Sequence, residues 1–251
     1  GLPVGTAPGQ LVPIVPAAVL FDLHVGDARI RPGAKVHHAA CQAAGRTPPE
    51  QGNVGAGAGA TVGKLFGGAH AMKGGIGSAS VSVDGVTVGA LIAVNALGDV
   101  VDPASGRPIA GARSADGRLH GSVARALAGE PPLSILSGTQ TTIGVIATDA
   151  PLTKAQCQRL AGAGHDGLAR AIRPVHTMSD GDARFARATG QRGALDFNLL
   201  CAMAGEAVAR ACVNAVRAAR GLTTGGVRLP SAIDMEAAGA RPESAGGPFQ
   251  S

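Results

Sequence analysis

The stretch "SVSVDGVTVGALIAV" (residues 80–94) constrains the fold more than any other part of this chain. Val81 and Val83 alternate with serines up to Asp84 and Gly85; Val86, Val88, Ala90, Ile92 and Val94 then alternate away. A period of two puts each apolar set on one face of a strand. Asp-Gly between two such runs tolerates the positive φ angles of a two-residue hairpin turn. The spacing predicts an antiparallel hairpin whose second strand ends at Asn95. An isolated hairpin is marginal in water, so other elements must cover its apolar face.

The remaining segments supply candidates. Residues 14–23, "IVPAAVLFDL", predict a strand, and 32–46 a short helix with Pro near its start and Gly at its end. A glycine-rich passage follows, "PPEQGNVGAGAGATVGK" (48–64). Residues 96–140 show no sustained periodicity and predict a long irregular link with one helical turn at 122–128. A strand is expected at 141–149, ended by Pro151. Thr153 and Gln156 have capping-box spacing for a helix reaching about Ile172. A turn and strand occupy 176–190, then a helix over about 197–220 closed by Gly221. Hairpin, strand, helix, strand, helix is the pattern of a mixed α/β fold, and no internal repeat breaks it into units. A chain of 251 residues can bury roughly 70–75% of its unfolded surface, which suits one domain over 1–251. Without Trp or Tyr, and with 39 glycines, its core must pack by close backbone approach.

Charge and cysteine content narrow the function. Net charge is +5, but the basic residues are scattered and only five phenylalanines accompany them, so nucleic acid is not the expected partner. No apolar run stands out as a membrane span and no signal peptide is visible. Cys41, Cys157, Cys201 and Cys212 form no CxxC pair; free thiols in a reducing cytoplasm are expected rather than zinc or disulfides. The chain begins at Gly1, as a fragment, a processed product or the ordered part of a longer protein would.

The motifs exclude several chemistries. "GAGAGATVGK" is not a phosphate loop, because Ala58 and Leu65 stand where Gly and Ser or Thr are needed. No G-x-S-x-G elbow and no H-E-x-x-H occurs. Asp180 and Asp182 lie two apart, on one face if extended, where they can orient a nucleophile or a lysine; as Asp-Gly-Asp they also make an ordinary turn. His176 reads as structural or pocket-lining. In "SGTQTTIGVIATDAP" (137–151) a polar segment runs into a β-branched strand at Thr141. An amide before Thr can be broken by the hydroxyl through an N-to-O acyl shift, and the freed threonine carries both a nucleophile and an α-amine base.

These segments resemble one family. "VPIVPAAVLFDLHVGD" (12–27), "VGAGAGATVGK" (54–64), "TTIGVIATDAPLTKAQCQRLA" (141–161) and "HDGLARAIRPVHT" (165–177) followed by "DGD" (180–182) are similar, in order, to the L-aminopeptidase/D-esterases, which include β-peptidyl aminopeptidases and nylon-oligomer (6-aminohexanoate-oligomer) hydrolases. The resemblance implies a precursor that cleaves itself before Ser or Thr into two chains that stay together, here 1–140 and 141–251. It implies a four-layer α-β-β-α sandwich similar to N-terminal-nucleophile hydrolases, no cofactor, a peptide or oligoamide substrate and homo-oligomers. Carried over by position, Thr141 is the nucleophile, Lys64 supports its ionisation, Asn95 donates to the oxyanion, and Asp180 and Asp182 organise the threonine. Two departures stand out: Gln140 replaces the usual Asn before the nucleophile, and the family's further N-terminal segment with a Gly-Gly-Ser-type motif has no match in 1–251. Two alternatives stay open, an acyltransferase of the ornithine acetyltransferase type and an unprocessed, non-catalytic scaffold.

Overall fold

The structure, a computed structural model, describes residues 2–3, 9–12, 14–133 and 139–239. In chain order they form β1 (Leu2–Pro3), β2 (Leu11–Val12), α1 (Ala34–Gln42), β3 (Thr61–Val62), β4 (Met72–Lys73), β5 (Gly75–Val83), β6 (Val86–Asn95), β7 (Asp99–Val101) and β8 (Pro108–Ala110). Next come α2 (Ser122–Leu127), β9 (Thr141–Thr148), α3 (Lys154–Ala171), β10 (Ile172–Arg173), β11 (Ala183–Ala188), α4 (Phe197–Ala218), β12 (Leu222–Thr224), β13 (Val227–Leu229) and α5 (Ala232–Ala237).

The expected hairpin organises the centre. Asp84 (φ 49°) and Gly85 (φ 76°) turn β5 into β6 in full antiparallel register, from Val83 opposite Val86 to Gly75 opposite Val94. The central sheet has the order β11-β9-β6-β5. β9 lies antiparallel to β6 and parallel to β11, with α3 as the crossover between β9 and β11. Helices α3 and α4 cover one face of this sheet. The approach is close because glycine makes it so: a Cβ on Gly77 would lie 2.2 Å from Ala211 O and 2.3 Å from Ala215 N of α4. The core of Val88, Ile92, Ile146, Leu160, Leu168, Leu200 and Val208 fills the layer between sheet and helices. Small side chains in place of aromatic rings let two layers pack at backbone distance.

The α/β class read from the sequence is the class observed. α3 and α4 over the sheet form an α-β pair of layers. Residues on the sheet's other face, among them Leu91, Ile143, Val145 and Phe185, are only partly covered by the described residues. The expected cap holds its helix, Thr153 and Gln156 making the capping box of α3; at the start of α4 a cap not read from the sequence, Asp196, accepts the Leu199 N–H.

Four expectations change. Residues 14–23 belong to no strand; Ile14, Val15 and Val19 are exposed, and Pro16 has no N–H to give a ladder. The span 96–140 is less irregular than its sequence, because β7 and β8 join β10 in a second sheet. Buried Asp99 ties that span to α2 by accepting the Ser122 N–H, the Ser122 hydroxyl and the Ala112 N–H. α4 ends at Ala218 with an extended Ala219, before Gly221. Finally, α4 is long and apolar enough to span a membrane by composition, but 67% of its most apolar window is buried against β5, β6 and α3.

Candidate active site

Asn95, the last residue of β6, is fully buried and anchors one side of the site. Its Oδ1 accepts from Lys64 Nζ at 2.8 Å, Thr61 N at 3.0 Å and Thr61 Oγ1 at 3.3 Å. Its Nδ2 donates to Phe21 O at 3.3 Å, so residues 14–23, although not a strand, do reach the site. Lys64 Nζ also donates to Asn95 O at 3.2 Å. The glycine-rich passage delivers this lysine through Gly63, whose positive φ of 73° and contact with Gly111 exclude any larger residue. Burial pushes the Lys64 ammonium down to about 7, against the pull of the Asp180 charge. A neutral amine is therefore accessible near neutral pH.

β9 brings the other side. Thr141 is the cross-strand partner of Asn95, and the pairing continues through Thr142 with Val94 and Ile143 with Ala93. Thr141 is buried, and its hydroxyl makes no hydrogen bond among the described residues. The next residue is held at both backbone atoms: Thr142 N donates to Asp182 Oδ1 at 2.8 Å, and Arg184 Nη1 donates to Thr142 O. Asp182 Oδ2 lies 3.0 Å from His176 Nδ1, within ion-pair range of a protonated ring but not aligned as a hydrogen bond. His176 takes a left-handed φ of 57°, and its ring lies tilted against that of His165, with centroids 4.8 Å apart.

Asp180 is used differently from Asp182. Its Oδ2 accepts Thr177 N at 2.9 Å and Thr177 Oγ1 at 2.8 Å. Burial raises its pKa and the Asp182 charge adds to the rise, while the Thr177 bonds oppose it. Its backbone forms a parallel bridge with Gln140. On either side of that bridge Gln140 N donates to Ser179 O at 3.1 Å and Gly181 N donates to Gln140 O at 2.6 Å. The bond between Gln140 and Thr141 is thus fixed on one side by the 179–181 backbone and on the other by the β6–β9 ladder.

The structure brings Lys64, Asn95, Thr141, Asp180 and Asp182 into one neighbourhood, with Gln140 buried beside them. Residues 137 and 138 of the expected cleavage leader lie outside the described residues. Sequence reasoning missed Arg184, Lys73 and the Gly181 N–H. Lys73 is fully buried and donates to Gly57 O, Ala60 O and Gly74 O, bracing the glycine-rich loop ahead of Lys64. Burial lowers its pKa to about 8, opposed by Asp22. The signal was there: a lone lysine between Met72 and two glycines, with no polar neighbour to keep it at a surface. Arg184 shares a face with Ala186 and Ala188 by alternation, a placement that only buried acceptors make sense of.

Comparison with known proteins places this architecture in a peptidase family. Residues 3–228 match the model of peptidase family S58, and the chain belongs to that family. The match spans every motif that carried the resemblance. An uncharacterized aminopeptidase of Mycobacterium leprae (strain TN) is 49% identical over 191 residues, covering 72% of this chain and 51% of that protein. A 6-aminohexanoate-oligomer endohydrolase of Paenarthrobacter ureafaciens is 29% identical over 182 residues, covering 71% and 50%. Among solved structures, a Burkholderia beta-aminopeptidase is 28% identical with a TM-score of 0.56, covering 83% of this chain and 60% of that one. The chain spans about half the length of the curated relatives it matches.

Proposed function

We propose that this chain is a self-processing threonine amide hydrolase with Thr141 as nucleophile. The observation that carries the reading is the position of Thr141: buried, with an uncommitted hydroxyl, directly opposite the asparagine that holds Lys64 Nζ. Membership of family S58 and the aminopeptidase and oligoamide-hydrolase names of its relatives support amide hydrolysis as the reaction class.

In self-cleavage the Thr141 hydroxyl oxygen bonds to the Gln140 carbonyl carbon. Neutral Lys64 takes the hydroxyl proton, and the Thr141 amide nitrogen leaves with a proton to become a free amine. Water then adds to the resulting ester, releasing the Gln140 carboxylate and restoring the hydroxyl. In turnover the α-amine of Thr141 is the base. The hydroxyl attacks a substrate amide, the proton passes to the departing amine, and water releases the acyl group as acid. Asp182 and Arg184 hold Thr142, which fixes the approach of its neighbour. Asp180 keeps negative charge near Lys64. Asn95 holds the lysine and is the candidate side-chain donor to the substrate oxyanion.

Intact-mass measurement of the purified chain tests the reading. Two fragments, the second starting at Thr141, are expected, and a single unbroken mass from Thr141→Ala with no amide hydrolysis. A Thr141→Ala chain that still splits or still hydrolyses amides would sink the assignment.

A further inference from the structure

The first amide this site meets is its own, so the contacts of Gln140 mark where an acyl group sits when Thr141 attacks it. Those contacts are made by backbone. Gln140 N donates to Ser179 O at 3.1 Å and Gln140 O accepts from Gly181 N at 2.6 Å. Donor and acceptor belong to one residue, and the acceptor is the carbonyl under attack. One N–H of Asn95 Nδ2 donates to Phe21 O, and the contact on the Gln140 carbonyl oxygen comes from Gly181. The Gln140 side chain is buried as well. Its Nε2 donates to Thr139 Oγ1 at 3.0 Å, while its Oε1 is enclosed with no partner among the described residues. An unpaired buried carbonyl is costly, and departure of Gln140 would relieve that cost.

We propose that the backbone edge at residues 179–181 is the acyl-residue subsite, with Gly181 N–H as oxyanion donor and Ser179 O as acceptor for the nitrogen of an α-aminoacyl group. The assignment rests on Thr141 as nucleophile. Its chemistry is selective. The two hydrogen bonds span N, Cα and carbonyl of a single α-amino acid. A 6-aminohexanoyl group puts five carbons between nitrogen and carbonyl and cannot make both in the same register. A free α-ammonium would make the bond to Ser179 O charge-assisted and stronger. The Gly181 N–H already on the ground-state carbonyl tightens as that oxygen gains charge, which is how such donors speed acyl transfer.

The test is a substrate series on the full chain, once its mass shows the split before Thr141. kcat/KM is compared for L-glutaminyl-4-nitroanilide, its des-amino analogue 4-carbamoylbutanoyl-4-nitroanilide, and 6-aminohexanoyl-4-nitroanilide. The glutaminyl compound is expected to exceed both others by about tenfold or more, the worth of one charge-assisted hydrogen bond. A split protein that turns over either of the other two equally well overturns the subsite and leaves the nucleophile standing. A chain that never splits brings down both. Separately, Gly181→Pro removes the N–H and Gly181→Ala keeps it. The alanine variant should self-cleave and the proline variant should accumulate as a folded precursor; wild-type cleavage by folded Gly181→Pro overturns the oxyanion role. If Gly181→Pro does not fold, the substrate series still decides.

Discussion

Asn95 and Thr141 face each other as the last pair of the β6–β9 ladder, so the end of one strand carries the lysine's anchor and the start of the other carries the hydroxyl. The precision comes from the sheet. Moving β9 by one residue would turn Thr141 toward α3 and α4 and present Thr142 in its place.

Lys64 should make stability and processing depend on pH in a defined window. Its ordinary pKa is 10.5 and burial lowers it to about 7. Between these values the unfolded chain holds a proton that the folded chain has released, so stability rises with pH there; below about 7 both are protonated and the penalty of the buried charge is complete. Relative to Lys64→Met, the wild type should be at its greatest disadvantage below about 7 and gain steadily up to the ordinary lysine value. Urea unfolding of both proteins below, within and above the window checks this. If neutral Lys64 is the base, the splitting rate of the wild type should also rise through about 7.

Asp182→Ala should cost about 1–3 kcal/mol in a denaturant titration, because it leaves the Thr142 N–H without its buried acceptor. Splitting should slow at the same time. Asp182→Asn retains an oxygen for that N–H but removes the charge beside His176, and should recover most of the stability.

Gly77→Ala should destabilise by about 3 kcal/mol, since its methyl would collide with the Ala211 carbonyl and the Ala215 nitrogen of α4. Gly89→Ala is the control. The nearest atom to that methyl is Ala79 O at 3.9 Å, and the change should stay within about 1 kcal/mol. Thermal or chemical melts of the two variants distinguish them.

Lys73→Met should lose about 3 kcal/mol by leaving the Gly57, Ala60 and Gly74 carbonyls without their shared donor. Amide exchange should quicken first around residues 55–60, the loop that leads to Lys64. Protection there equal to wild type would contradict the bracing role.

Much of this site was legible because its side chains are carried by strong local patterns. Asp84 and Gly85 locate the hairpin and so Asn95, while Thr141 to Thr148 is β-branched enough to declare a strand. Thr153 and Gln156 announce α3 by chemistry that needs no tertiary partner. The segments that misled are those whose conformation is decided from outside. Residues 14–23 have strand composition but pair with no strand among the described residues. β7 and β8 have three residues each, too few to show a period, and depend on Asp99 and β10. The contact on the Gln140 carbonyl comes from a glycine backbone, and no motif of side-chain types can reveal it.

The order of the central sheet has a consequence for what holds the protein together. β5 and β6 precede the bond between Gln140 and Thr141; β9 and β11 follow it. Eight residue pairs, from Val88 with Thr148 to Asn95 with Thr141, join β6 to β9, and α4 lies across β5 and β6. A cut at that bond would therefore create a heterodimer whose interface is the hydrophobic core itself. Its subunits could not come apart without unfolding, and their dissociation constant would be another name for the stability of the fold.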